Sequence, residues 1–189
     1  MSYHTTDFEY WKHEGDVSED LFVPLMASYG KRIIRHPFGV KQIDYGAIDL
    51  SEFYEVRQLG KEVPGWLIQK LGIHYPMVMD VGKCYKATAF YNAYKERPQY
   101  VFLRLHYAGD WKHLNGWWTI PMYKFLNRFW KDQNAGVGNY TRQMRTDEQK
   151  TGRVNVCKWH IPLGLWKKIA EGDGSIIRGY DETGRCTGR

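Results

Sequence analysis

Gln42–Gln58, QIDYGAIDLSEFYEVRQ, is the stretch whose reading decides the fold. It holds two short β-prone pieces, Val40 to Ile48 around Asp44 and Phe53 to Leu59 around Glu55, with a turn near Asp49 to Glu52. The second piece alternates, with Phe53, Glu55 and Arg57 on one side and Tyr54, Val56 and Gln58 on the other. A strand that served only as scaffold would more often fill the first side with apolar residues or solvated Thr and Lys. Glu and Arg together on one face therefore mark a candidate site. Asp44, ten intervening residues before Glu55, can meet it across a hairpin.

Magnesium takes oxygen ligands and keeps several of its waters, so two or three carboxylates on rigid elements suffice to hold it. Asp44 and Glu55 are the candidate ligands, and Glu19, arriving from an upstream helix, can complete the set. Arg57 shares the face of Glu55 and is placed to polarise a water or steady a phosphate. Each acid also has an ordinary reading. Asp44 can open a turn, Glu55 can face solvent on an edge strand, and Glu19 can offset a helix dipole. Asp49, the rival to Asp44, reads better as a turn residue.

Upstream, DVSEDLFVPLMASYGKR reads as a helix with Ser18 as cap and Leu21, Leu25, Ala27 and Tyr29 as its apolar face, stopped by Gly30. Lys31 to Pro37 reads as a basic edge strand or loop. Downstream, WLIQKLG is a short helix, YPMVMDVG a strand, GKCYKATAFYNAYKER a helix, and QYVFLRLHYAG the best buried strand. Asp110 to Trp118 reads as a loop or hairpin tip, and WTIPMYKFLNRFWKD has helical aromatic spacing that suits a core better than a base-stacking platform. The polar, Gly-interrupted stretch after it reads as an excursion. VNVCKWHIPLGLWKKIAEG closes the chain as a strand and a helix. His106 and His160 sit in apolar surroundings and read as core histidines. The order of elements predicts an α/β fold with a mixed central β-sheet flanked by helices.

Composition bounds the partners. The 189 residues suit one domain, spanning 1–189, with a core at about 15–107 and 154–170 and a basic excursion at about 110–153. Apolar residues at 43% exclude disorder as the default, and a net charge of +6 favours a polyanion. Lys31, Arg32, Arg35 and Lys41, with Arg142, Arg145, Lys150 and Arg153, form the two basic segments suited to a nucleic-acid backbone. Three widely spaced cysteines without a CxxC pair argue against a disulfide framework and a zinc site. No run of eighteen apolar residues and no signal peptide is evident, so the expectation is a protein of the cytoplasm with no membrane partner.

The run Asp44, Glu55, Val56, Arg57, preceded by a Glu-bearing helix, resembles the PD-(D/E)XK nuclease superfamily with its D…ExK core. IDYGAI…FYEVR followed by HYPMVMDVGKCYKA is similar to small phage-type members of that superfamily, in which an EVK strand precedes a YPTxM strand and a Lys-bearing helix. The closing WHIPLGLWKKI also resembles the last strand and helix of such proteins. The resemblance implies a restriction-endonuclease-like core and a Mg2+-dependent DNA nuclease, with Mn2+ as an alternative ion. It matches Asp44 and Glu55 to metal ligands, Glu19 to the helix acid and Lys83 to the Lys after the YPxxM strand. Arg57 stands where the family has Lys, and arginine is a fixed cation that transfers no proton. Lys61 is the nearby basic alternative. Two other readings stay open: a nuclease fold that binds DNA without cutting it, and a phage-type protein that docks a protein partner, within a host cytoplasm if the chain is viral.

Overall fold

A computed structural model describes residues 20–39, 42–60, 77–107, 109–136, 140–147 and 152–187. The chain is α/β, with three helices and two sheets among those residues. It divides into two compact units that interleave along the sequence: Met1–Glu62, Glu96–Pro121 and Lys167–Arg189 in the first, Val63–Lys95 and Met122–Trp166 in the second. No described helix is long and apolar enough to cross a membrane.

The first unit is built on a mixed six-stranded sheet. Its strands are β1 (Ile33–Arg35), β2 (Tyr45–Ala47), β3 (Phe53–Gly60), β5 (Gln99–His106), β6 (Gly116–Pro121) and β9 (Lys167–Glu171), in that spatial order. Only β3 and β5 run parallel; every other neighbouring pair is antiparallel. Parallel neighbours need a long crossover between them, and the first part of the second unit lies in that connection.

Helix α1, described over residues 20–28, covers one face of this sheet. Phe22 is the centre of the contact, with ring centroids 4.8 Å from Phe102, 5.1 Å from Tyr45 and 5.6 Å from Trp117. The buried helix face is Phe22, Leu25 and Met26, with Tyr29 packed beside it, at the 3, 4, 7 spacing of one helix stripe. The face expected from sequence was Leu21, Leu25, Ala27 and Tyr29; Leu21 and Ala27 are exposed instead. Both stripes contain Leu25 and Tyr29, and the bulk of Phe22 decides between them. Gly30 ends the helix as expected, with φ +73 and its N–H donating to the carbonyl of Ala27.

On the sheet's other face Val101, Leu103 and Leu105 of β5 and Ile120 of β6 are all buried. Central strands buried on both faces explain the near-continuous apolar run of QYVFLRL.

The second unit holds a three-stranded antiparallel sheet, in the order β4 (Met77–Asp80), β8 (Gly152–Ile161), β7 (Tyr140–Asp147), with helices α2 (Val81–Ala93) and α3 (Met122–Ala135). Its core is aromatic. Phe125 and Phe129 of α3 meet the buried Trp159 at 5.3 and 5.2 Å, both edge to face. Trp159 donates its indole N–H to Asp132, and Trp130 donates to the hydroxyl of Thr88 on α2. The aromatic series therefore belongs to a core, as its spacing suggests.

Four readings of local structure need correction. The YPMVM strand, β4, joins the three-stranded sheet and not the six-stranded one. Gly116–Pro121 is a strand and the helix starts only at Met122, because Trp117 pairs with Arg104 of β5 and Ala170 of β9, and Ile120 with Val101 of β5. The polar excursion contains β7 and the start of β8, strands whose long antiparallel pairing overrides their weak apolar content. Lys167–Glu171 is strand β9 and not a helix: Pro162 ends β8, and Ile169 and Ala170 bury as an extended strand beside β6. His106 is exposed, whereas His160 is buried as expected. The WLIQKLG helix lies outside the described residues.

Candidate active site

The hairpin read from sequence is present. β2 and β3 pair with Tyr45 opposite Tyr54 and Gly46 opposite Phe53. Extended by one step, this register sets Asp44 opposite Glu55, where side chains of an antiparallel pair are neighbours. The ladder itself ends at Tyr45. In its place the Asp44 carboxylate accepts the backbone N–H of Val56 at 2.8 Å, which fixes the carboxylate against β3 beside the peptide that follows Glu55. From the other strand, the N–H of His36 donates to the Asp44 carbonyl at 2.8 Å. His36 has φ +47, a sparsely populated conformation for a non-glycine residue. Asp49 is a turn residue, its carboxylate accepting the N–H and hydroxyl of Ser51.

Glu55 and Arg57 share a strand face, as alternation predicts, and form an ion pair through Glu55 Oε1 and Arg57 Nη2. Glu55 is buried and Arg57 half-buried. Their register partners on β5 are Val101 and Leu103, both fully buried. Two charges thus sit beside buried apolar partners, where the pair must offset its own desolvation.

Three carboxyl groups were expected from sequence, and two are described here; Glu19 lies outside the described residues, as do Lys41, Lys61 and Lys150. Among the described residues no group of three or more His, Cys, Asp or Glu side chains is gathered for a metal ion. Mg2+ is held by one or two carboxylates and keeps its remaining water, so the chemistry of a carboxylate pair fits it. Lys83 is exposed on α2, in the second unit. Arg142, Arg145 and Arg153 lie on β7 and β8.

Lys31 makes ion pairs with Glu52 at 3.3 Å and with Glu182 at 3.0 Å, while Arg32 and Arg35 are exposed on and beside β1. Glu52 also accepts the phenol of the buried Tyr54 at 2.7 Å. Burial lowers the pKa of Lys31, but Glu182 and Glu52 outweigh it and leave the ammonium raised above its ordinary value. Burial, then the Glu52 carboxylate, holds the Tyr54 phenol far above the tyrosine range. Tyr29, which donates to the carbonyl of Ile169, is pushed up to about 12 by burial and by the fields of Glu182 and Asp181. No sequence signal linked Glu182 to this cluster, because the contact depends on how the C-terminal segment returns.

That segment folds back on β9 through the Ala170 to Ile176 bridge and then closes a tight loop in which the Asp181 carboxylate accepts from Thr183 and Arg185.

Compared with known proteins, the chain matches no family model, no curated protein and no solved structure.

Proposed function

We propose that this chain is a Mg2+-dependent nuclease acting on DNA, with a restriction-endonuclease-like core. The observation that supports the reading is the β2–β3 register, which, extended one step beyond its end at Tyr45, sets Asp44 opposite Glu55, with the Asp44 carboxylate held by Val56 N–H. Asp44 and Glu55 hold the ion. When bound, Mg2+ supplies Lewis-acid stabilisation of charge on the scissile phosphate and lowers the pKa of a water. Val56 N–H keeps the Asp44 carboxylate in place without an entropic search. Arg57, swinging from Glu55 to substrate, presents a planar fork that grips phosphate oxygens bidentately. Its guanidinium accepts no proton, so the proton of the attacking water leaves by solvent or by the phosphate itself. The test is nicking of supercoiled plasmid in Mg2+, expected to appear with the metal and to vanish with a chelator; no nicking in Mg2+ or Mn2+ contradicts the reading.

The Glu55–Arg57 ion pair supports a second reading, a nuclease fold that binds DNA without cutting it. A ligand carboxylate held by a fixed cation is a weaker metal site than one beside a lysine that can lose its proton. The two readings separate on Arg57→Lys. A cutting enzyme keeps or gains rate, whereas a silent wild type that starts to cut is a decayed nuclease.

A further inference from the structure

Charge is divided unequally between the two units. The second, Val63–Lys95 with Met122–Trp166, holds twelve Lys and Arg against four Asp and Glu, a formal +8 with His neutral. The first holds fifteen against seventeen, a formal −2. The surplus of +6 on the whole chain therefore comes from the second unit alone, which has less than half of the 189 residues. A surplus of that density repels itself in the folded state, and a polyanionic partner relieves it.

The two helices of that unit show where such a partner fits. Together α2 and α3 carry Lys83, Lys86, Lys124, Arg128 and Lys131 against one acid, Asp132. That acid is already engaged, accepting from Arg128 at 2.9 Å and from the Trp159 indole at 3.0 Å. Lys86, Lys124 and Lys131 are exposed, and no acid is exposed on either helix. On α3 the exposed residues Tyr123, Asn127, Lys131 and Asn134 recur every three or four positions and form one stripe, with Lys124 at its edge. Tyr85, Ala89 and Asn92 do the same on α2, with Lys86 beside them. Tyr85 is 45% exposed and Tyr123 47%, so each offers a ring to solvent. The Tyr85 ring is also held in place, edge to face with Phe129 at 5.8 Å and with Trp130 at 5.5 Å.

We propose that the α2–α3 layer binds single-stranded nucleic acid, with Lys86, Lys124 and Lys131 on phosphates and Tyr85 and Tyr123 against bases. The residue types select this occupant. Neither helix exposes a large aliphatic side chain, so the face lacks what a lipid surface takes up. An acidic protein partner would meet the cations but would make no particular use of the two rings, and lysine is depleted from the cores of protein interfaces. Duplex DNA presents phosphates with its bases already stacked, whereas a single strand leaves base faces open to an aromatic ring. Cations for the backbone interleaved with rings for the bases are the two parts that such binding needs, and both are sequence-tolerant. Binding on this layer requires neither Asp44 nor Glu55.

The test is fluorescence anisotropy of the full chain with labelled oligo(dT), in chelator so that no cutting intervenes, over a series of salt concentrations. Replacing three exposed lysines (Lys86→Gln, Lys124→Gln, Lys131→Gln) is expected to make the slope of log Kd against log salt shallower by about 2, at ~0.7 per phosphate contact on a single strand. Tyr85→Leu and Tyr123→Leu are each expected to weaken binding at least about fivefold while leaving that slope unchanged, a split that misfolding does not produce. Tyr123→Trp, which keeps an aromatic face, is expected to bind at least as tightly as wild type. A duplex of the same length is expected to bind more weakly than oligo(dT). Wild-type slope in the triple lysine variant, or wild-type affinity in both leucine variants, overturns the proposal. So does a duplex, a polyglutamate chain or a phosphatidylserine vesicle held more tightly than oligo(dT), or no retention of oligo(dT) at low salt. Mg2+-dependent nicking is read separately, and its absence leaves this surface standing.

Discussion

Two charged clusters are built on and beside β3, from the same residue types, and they differ in what they tie together. Lys31, Glu52, Glu182 and Tyr54 join segments that are distant in sequence: the end of α1, the turn before β3, β3 itself and the returning C-terminal segment. Asp44, Glu55 and Arg57 use close partners, a backbone N–H on the neighbouring strand and a residue two positions along the same strand. The first cluster is a fastener, because removing Glu52 leaves the buried Tyr54 phenol without its acceptor. The second lies on a face where Val101, Leu103 and Ile120 are buried. The second is the proposed site, and the contrast can be broken by mutation.

The largest effect falls on the fastener. Glu52→Ala strips the buried Tyr54 phenol and half of the Lys31 pairing, and is expected to destabilise the protein by about 2–3 kcal/mol in chemical denaturation. A loss below the error of the measurement would remove the distinction between the clusters. The double replacement Glu55→Leu, Arg57→Leu is expected to go the other way. A buried ion pair exchanged for apolar residues is neutral or stabilising by about 1 kcal/mol or more, so the midpoint holds or rises while any activity is lost. A marked fall would make the second cluster structural as well.

The smallest effect is a displacement in alkaline titration. Tyr29, Tyr54 and Tyr100 have folded pKa values raised above the unfolded value of 10.0. The folded state therefore holds protons that the unfolded state releases. Stability is fully present below pH 10 and declines as pH climbs from there toward the Tyr29 value of about 12. Tyrosinate absorbance should rise in two stages, exposed phenols first and these three with unfolding. A single stage at the ordinary tyrosine pKa would show that the cluster is not closed.

Much of this architecture was legible because β3 and β5 carry their period openly. Alternation in FYEVRQ put Glu55 and Arg57 on one face, and the apolar density of QYVFLRL marked a central strand. The helix stripe was misjudged by one position because Leu21 and Phe22 are both apolar, and only Tyr45, Phe102 and Trp117 across the interface select the larger ring. β7 and the start of β8 read as an excursion because their sequence is polar, and it is their pairing that makes them strands. β9 was read as a helix because LWKKIAE has no strong period of its own, and its state is set by β6. At the candidate site, the antiparallel pairing of β2 with β3 follows from hairpin spacing. The capture of Lys31 by Glu52 and Glu182 does not, since it joins three segments brought together only by the fold.

The most direct test sets one member of the fastener against the acids of the site in a single assay. Plasmid nicking in Mg2+ is measured for wild type, Asp44→Ala, Glu55→Ala and Glu182→Gln, well below the unfolding temperature of each. Loss of a ligand carboxylate is expected to cost at least about a hundredfold in rate, so the first two variants lose cleavage while Glu182→Gln cuts like wild type. Asp44→Ala and Glu55→Ala cutting as fast as wild type would contradict the assignment of the site.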